Sequence, residues 1–140
     1  MFDPRQQPDT PCISVIPQFC NAFAKNKPLV IFGDVLIIRN FTYVDNDIQA
    51  NMLALLNPEL EHHQVYNVAC GDHMSLNEMV EMLRRISGKE IQPTYAAERP
   101  GDVKHSKASI DKIRRELGYR PSVRFEEGLR RTWDWIQCRP

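Results

Sequence analysis

The chain has 140 residues, 42% hydrophobic and 26% charged, with 18 Lys and Arg balancing 18 Asp and Glu. This is the composition of one folded domain with enough apolar material for a core, and it excludes a disordered or fibrous chain. A formal net charge of zero removes any global electrostatic drive toward nucleic acid or an anionic membrane surface, and no apolar run approaches the ~18 residues of a spanning helix.

Residues 1–13 hold three prolines and no periodicity. They read as a loop, and an opening of this kind suggests a chain that starts inside a larger fold. No charged and then apolar leader precedes them, which points to the cytoplasm. From Ser14 the apolar residues Ile16, Phe19, Cys20, Phe23 and Ala24 fall on one helical face, with Pro17 tolerated in the first turn. Residues 29–32 form a short apolar strand closed by Gly33-Asp34, and 39–44 a second extended segment. Asp45 is expected to cap a helix bearing Ile48, Met52, Leu55 and Leu56, stopped before Pro58. A strand is expected over 65–69. Ser75 and Glu78 have capping-box spacing before a helix with Leu76, Met79, Val80, Leu83 and Ile86 inward and Gly88 as its stop. Residues 91–95 read as a strand, 96–106 as a charged loop and 109–117 as a helix ended by Gly118. Phe125, Leu129, Trp133 and Ile136 mark the closing helix. The fold class is α/β, a mixed α+β lobe, with strands too few and short for a large sheet.

Cysteines at 12, 20, 70 and 138 lack C-x-x-C spacing and read as free thiols, with Cys20 in the core. The adjacent His62 and His63 diverge on any helix and make a poor metal pair, so no metal site is expected. The six glycines stand at least ten residues apart, which excludes a dinucleotide or Walker loop. None of Tyr43, Tyr66, Tyr95 and Tyr119 has a lysine four residues on, so the Tyr-x-x-x-Lys dyad is absent, as are G-x-S-x-G and H-E-x-x-H. No residue is assigned as catalytic.

What remains is sparse. Arg99-Pro100-Gly101-Asp102 places a guanidinium fork and a carboxylate on one rigid turn, suited to a nucleoside diphosphate or, equally, to a surface ion pair. Arg39 stands among apolar neighbours and requires a partner, a ligand or a path to solvent. Val30-Ile31-Phe32 lines either a base slot or a core. The basic residues from Lys104 to Arg131 alternate with Asp111, Glu116, Glu126 and Glu127, which suits a solvated helix surface.

In order along the chain, Asp3-Pro4-Arg5-Gln6, Val15-Ile16-Pro17, Ile31-Phe32-Gly33-Asp34, Arg39-Asn40-Phe41-Thr42-Tyr43-Val44-Asp45, Tyr66-Asn67-Val68, Arg99-Pro100-Gly101-Asp102 and Leu117-Gly118-Tyr119 carry a resemblance. Together they resemble the C-terminal substrate-binding part of extended short-chain dehydrogenase/reductase sugar-nucleotide enzymes. The nearest likeness is to bacterial UDP-N-acetylglucosamine 4-epimerases. The resemblance spans nearly all of residues 1–140 as a single truncated lobe and implies a preceding Rossmann domain, with NAD and the catalytic Tyr/Lys, that these residues lack. It implies diphosphate contacts from Arg39 and Arg99, a ribose contact from Asp102, uracil contacts from Val30 and Phe32, and a hexose pocket bordered by Ser106. It also implies that 45–70 packs back on the Rossmann part, leaving an apolar face prone to self-association when that part is absent. The lobe would bind a UDP-sugar, hold no cofactor itself, and bind neither nucleic acid nor membrane. The pattern departs from the family at Val35 (a glycine there), Asn40 (an aspartate) and Asp3 (a glycine). Two rival readings are a lobe of a sugar-nucleotide dehydratase or other epimerase, and a non-catalytic interaction module docking through apolar 35–38.

Overall fold

The computed structural model describes residues 1–6, 15–33, 38–60, 63–71, 73–97 and 108–138, with the backbone alone for Ile38 and Arg39. Helices α1 (Val15–Ala24), α3 (Leu76–Ser87) and α5 (Phe125–Gln137) pack pairwise around the main core. Each does so through the face its periodicity predicts. Ile16, Phe19, Cys20 and Phe23 of α1, Leu76, Met79, Val80 and Leu83 of α3, and Phe125, Leu129 and Trp133 of α5 are all buried. The Ser75–Glu78 capping box forms as the spacing requires, and Gly88 closes α3 with the positive φ (68°) that other residues disfavour. Lys89 tethers the end of α1 to the end of α3: its Nζ donates to the last-turn carbonyls of Phe23 (2.7 Å) and Ala24 (3.0 Å), the former also accepting from the Asn26 N–H (3.4 Å).

Strand β1 (Leu29–Phe32) runs parallel to β4 (Pro93–Ala96), with Leu29 opposite Pro93 and Phe32 opposite Ala96. The pair β2 (Ile38–Arg39) and β3 (Met74–Ser75) is antiparallel. Helices α2 (Val44–Leu55) and α4 (Asp111–Leu117) enclose a smaller cluster of Ala50, Ala69, Ile110, Ile113, Leu117 and Tyr119. No helix among the described residues is long and apolar enough to cross a membrane.

Several expectations are corrected. Asp45 does not cap α2. Helical geometry already begins at Val44, with extended Tyr43 at the cap position, so Asp45 and Asp47 lie in the first turn, where carboxylates favour the helix dipole. The extended segment expected over 39–44 is a ladder only through Arg39. Beyond it, Tyr43 makes a single parallel bridge to Phe2, with Phe2 N–H donating to the Thr42 carbonyl and Val44 N–H to that of Phe2. Residues 65–69 form no ladder, because no described strand lies beside them. β4 starts at Pro93 rather than at residue 91, since the Ile91 carbonyl is occupied by Nε and Nη2 of Arg84. α4 starts at Asp111, after a local turn in which the Asp111 N–H donates to Ser109 Oγ.

Two features depend on contacts far apart in sequence. Gly128 sits on α5 against the edge-to-face pair Phe2–Tyr43, and a Cβ there would lie 2.8 Å from Tyr43 Cδ2 and 2.9 Å from Phe2 Cζ. Fully buried Asn46 joins the two clusters. Its Oδ1 accepts from the N–H groups of Ser122 (2.9 Å) and Val123 (3.0 Å), and its Nδ2 donates to the Val123 carbonyl (2.8 Å).

Candidate functional site

Strand β1 alternates as its pleat demands. Leu29 and Ile31 enter the core, while Val30 is 42% exposed and Phe32 half-buried on the opposite face. Their cross-strand neighbours are Thr94 and Ala96. Gly33 continues the ladder, donating its N–H to the Ala96 carbonyl (3.0 Å), and turns with φ of 87°. Because β1 and β4 are parallel, the chain leaves both at the same end of the sheet. In sequence, 34–37 follows one exit and 98–107 the other. Ligands of parallel sheets collect beyond the carboxyl ends of the strands, where loops converge and backbone groups are free to bind.

The two residues expected at the base, Val30 and Phe32, thus share a face. Arg39 lies on a different sheet, paired with Met74, one residue before the Ser75 cap of α3; its side chain lies outside the described residues. Arg99, Asp102 and Ser106 also lie outside them, as do Val35, Cys12 and His62. Tyr95 and His73 carry no signal in sequence that would mark them. Tyr95 is half-exposed and donates its hydroxyl hydrogen bond to Asn77 Oδ1 (3.0 Å), and His73 meets Asn40 (3.0 Å). The Asp3-Pro4-Arg5 stretch serves a local turn, with the Arg5 N–H donating to Asp3 Oδ1 (2.7 Å).

Nucleophile chemistry finds no support in the described thiols. Burial of Cys20 pushes its thiol up to about 12, so it stays protonated at neutral pH. Cys138 is exposed, and Cys70 is buried, its sulfur accepting from Asn46 Nδ2. No group of three or more His, Cys, Asp or Glu side chains among the described residues is arranged to hold a metal ion. A cleft of about 370 Å³ opens between α2 and α4, lined by Ala50, Asn51, His63, Tyr66 and Ile113 among others. Of the described residues expected to bind nucleotide, neither Val30 nor Phe32 lines it. Above it, Tyr66 donates its hydroxyl to Glu116 Oε2 (3.0 Å), and Lys112 Nζ stands 4.8 Å from the Tyr66 ring centroid.

The upper face of α2 is bare. Ile48, Met52, Leu55 and Leu56 are 55%, 46%, 77% and 71% exposed, and Val65 is 85% exposed.

A family model described as GDP-mannose 4,6 dehydratase matches residues 2–132. The UDP-glucuronate 4-epimerase of Thermodesulfobacterium geofontis is 34% identical, aligned over 96% of this chain and 40% of that protein. The UDP-N-acetylglucosamine 4-epimerase of Methanobrevibacter ruminantium M1, solved with UDP-N-acetylmuramic acid, is 36% identical with a TM-score of 0.87, over 96% of this chain and 43% of that one. The UDP-glucuronic acid 4-epimerase of Bacillus cereus, solved with UDP-glucuronic acid and NAD, is 32% identical with a TM-score of 0.87, over 97% of this chain and 42% of that one. The chain therefore spans about two fifths of the length of the curated relatives it resembles.

Proposed function

The chain belongs to the GDP-mannose 4,6 dehydratase family, and on that premise we propose that it is the UDP-sugar-binding lobe of an NAD-dependent UDP-hexose or UDP-N-acetylhexosamine 4-epimerase-like enzyme, not catalytic by itself. The observation that carries the reading is the parallel register of β1 and β4, which sends the segments after Phe32 and after Ala96 off one end of the sheet. In this proposal Val30 and Phe32 lie along uracil, Arg39 and Arg99 hold the diphosphate, Asp102 accepts from the ribose hydroxyls, and Ser106 leaves room beside the hexose. Guanidinium forks suit phosphate oxygens in geometry and charge.

The residues of this chain do not fit NAD. Its glycines are too widely spaced for a dinucleotide loop, and no tyrosine has the lysine partner that hydride chemistry on a sugar employs. Hydride transfer is accordingly assigned to polypeptide outside these 140 residues, and the lobe contributes orientation of the nucleotide. Residues 45–70 form the face for that polypeptide, a role supported by the exposed apolar side chains of α2 and by Val65. Uncovered, a patch on the order of several hundred Å² is near or above what soluble monomers usually carry and favours self-association. Sedimentation with an apolar-surface dye tests this face, and a dilute, dye-silent monomer would refute it.

Calorimetric titration with UDP tests the site. Weak, salt-sensitive binding that is lost in Arg39→Ala and Arg99→Ala is expected; equal affinity in all three proteins would dismiss the nucleotide site. Incubation with NAD and UDP-N-acetylglucosamine should give no C4 epimer above a heat-killed control. A second reading, a lobe of a sugar-nucleotide dehydratase, is favoured by the description of the family model. Ser106→Tyr should weaken UDP-N-acetylglucosamine more than UDP-glucose under the epimerase reading and affect both alike under the other.

A further inference from the structure

Among the described residues two antiparallel pairs join β2 to β3, Ile38 with Ser75 and Arg39 with Met74. One step further in that register, Asn40 stands opposite His73, and there the side chains meet, with His73 Nδ1 and Asn40 Oδ1 3.0 Å apart. An amide oxygen accepts, so the ring nitrogen donates, which requires either the Nδ1–H tautomer or the imidazolium. Both partners stand on elements that packing holds in place. His73 is followed by β3, whose last residue, Ser75, accepts at Oγ from the Glu78 N–H (3.2 Å) and donates its own N–H to Glu78 Oε2 (2.8 Å). Asn40 is followed by Phe41, whose ring packs 5.3 Å from that of Phe125. Arg39 lies between this contact and the Ile38–Ser75 pair. So short a ladder is marginal alone, and a third cross-strand pair adds materially to it.

We infer that Asn40 and His73 are positioning residues for Arg39: their hydrogen bond fixes β2 to the cap of α3 and thereby sets the affinity of the diphosphate contact. The inference rests on the nucleotide reading proposed above. Neither residue touches the nucleotide; both act through the placement of the strand.

The test titrates UDP into the 140-residue chain, followed by ¹⁵N spectra so that weak binding is measurable. His73→Ala and Asn40→Ala should each weaken UDP about three- to tenfold, the effect of one hydrogen bond of ordinary net strength. The double variant should be no worse than the poorer single, as expected for partners in one contact. His73→Gln, which still donates to Oδ1, should restore affinity to within about twofold. In the wild type the His73 ring should carry a proton on Nδ1. Wild-type affinity in His73→Ala, with Arg39→Ala weakened, overturns the inference alone. Unchanged affinity in Arg39→Ala, or no UDP binding by the wild type, overturns the nucleotide reading and the inference with it. Equal losses in His73→Ala and His73→Gln that track a fall in melting temperature also overturn it, because the role would then be merely structural.

Discussion

Replacing Asn46 with alanine should be among the most damaging single changes in this chain. The amide accepts from the N–H groups of Ser122 and Val123 and donates to the Val123 carbonyl, all within 2.8–3.0 Å. Truncation strips three backbone groups of their partner in one step. Val123 is buried, so water cannot replace the amide at its N–H and carbonyl; Ser122 is partly exposed and recovers part of its loss. At about 1–3 kcal/mol for each unsatisfied buried group, the expected cost is about 3–5 kcal/mol. Cys70 Sγ, 3.7 Å from the Val123 carbonyl, is too weak a donor to offset it. A domain of this size holds roughly 5–15 kcal/mol in all, so the variant should lose a large share of its stability. Urea unfolding followed by the fluorescence of buried Trp133 measures the change. Asn51→Ala is the matched control: its Nδ2 donates to the Asp47 carbonyl (2.8 Å) at an exposed position, and its loss should cost under ~0.5 kcal/mol. An Asn46→Ala unfolding free energy within about 1 kcal/mol of wild type would refute the claim that this amide joins the two clusters.

Gly128→Ala should destabilise by about 1–3 kcal/mol despite the better helix propensity of alanine, because the Phe2 and Tyr43 rings are buried and have little room to retreat; a thermal melt at or above wild type would contradict this. Native-state alkylation read by peptide mass spectrometry should label Cys138 quickly and spare Cys20, whose thiol burial pushes up to about 12, until denaturant is added. The hydrogen bonds from the Ser75 N–H and hydroxyl hold the Glu78 carboxyl below its ordinary value of 4.5. A depressed carboxylate stabilises the fold above its unfolded pKa, and that contribution is lost as pH falls through the folded value. Glu78→Gln should therefore flatten the acid limb of the stability curve below about pH 4.5 and leave its slope near pH 7 unchanged; an unaltered acid limb would count against the capping box.

Much of this protein is legible from its residues, because helices are governed by local rules. The spacing of Ile16, Phe19, Cys20 and Phe23, the Ser75–Glu78 box and the stops at Gly88 and Gly118 involve residues a few positions apart, and each appears in the structure as the pattern requires. Family membership is legible too, since short motifs in a fixed order along the whole chain rarely coincide by chance. Strands behave differently because a ladder needs a second strand. Residues 65–69 have the right composition but no strand partner among the described residues, whereas β4 shifts by two residues because Arg84 claims the Ile91 carbonyl. Asn46 reads in sequence as one more polar residue beside a helix start, and only the fold carries Ser122 and Val123, more than seventy positions away, onto its amide. The candidate site divides in the same way. Val30 and Phe32 share a face through simple alternation, but the common exit of β1 and β4, and the meeting of Asn40 with His73 beside Arg39, arise from pairings between distant segments that tertiary packing alone selects.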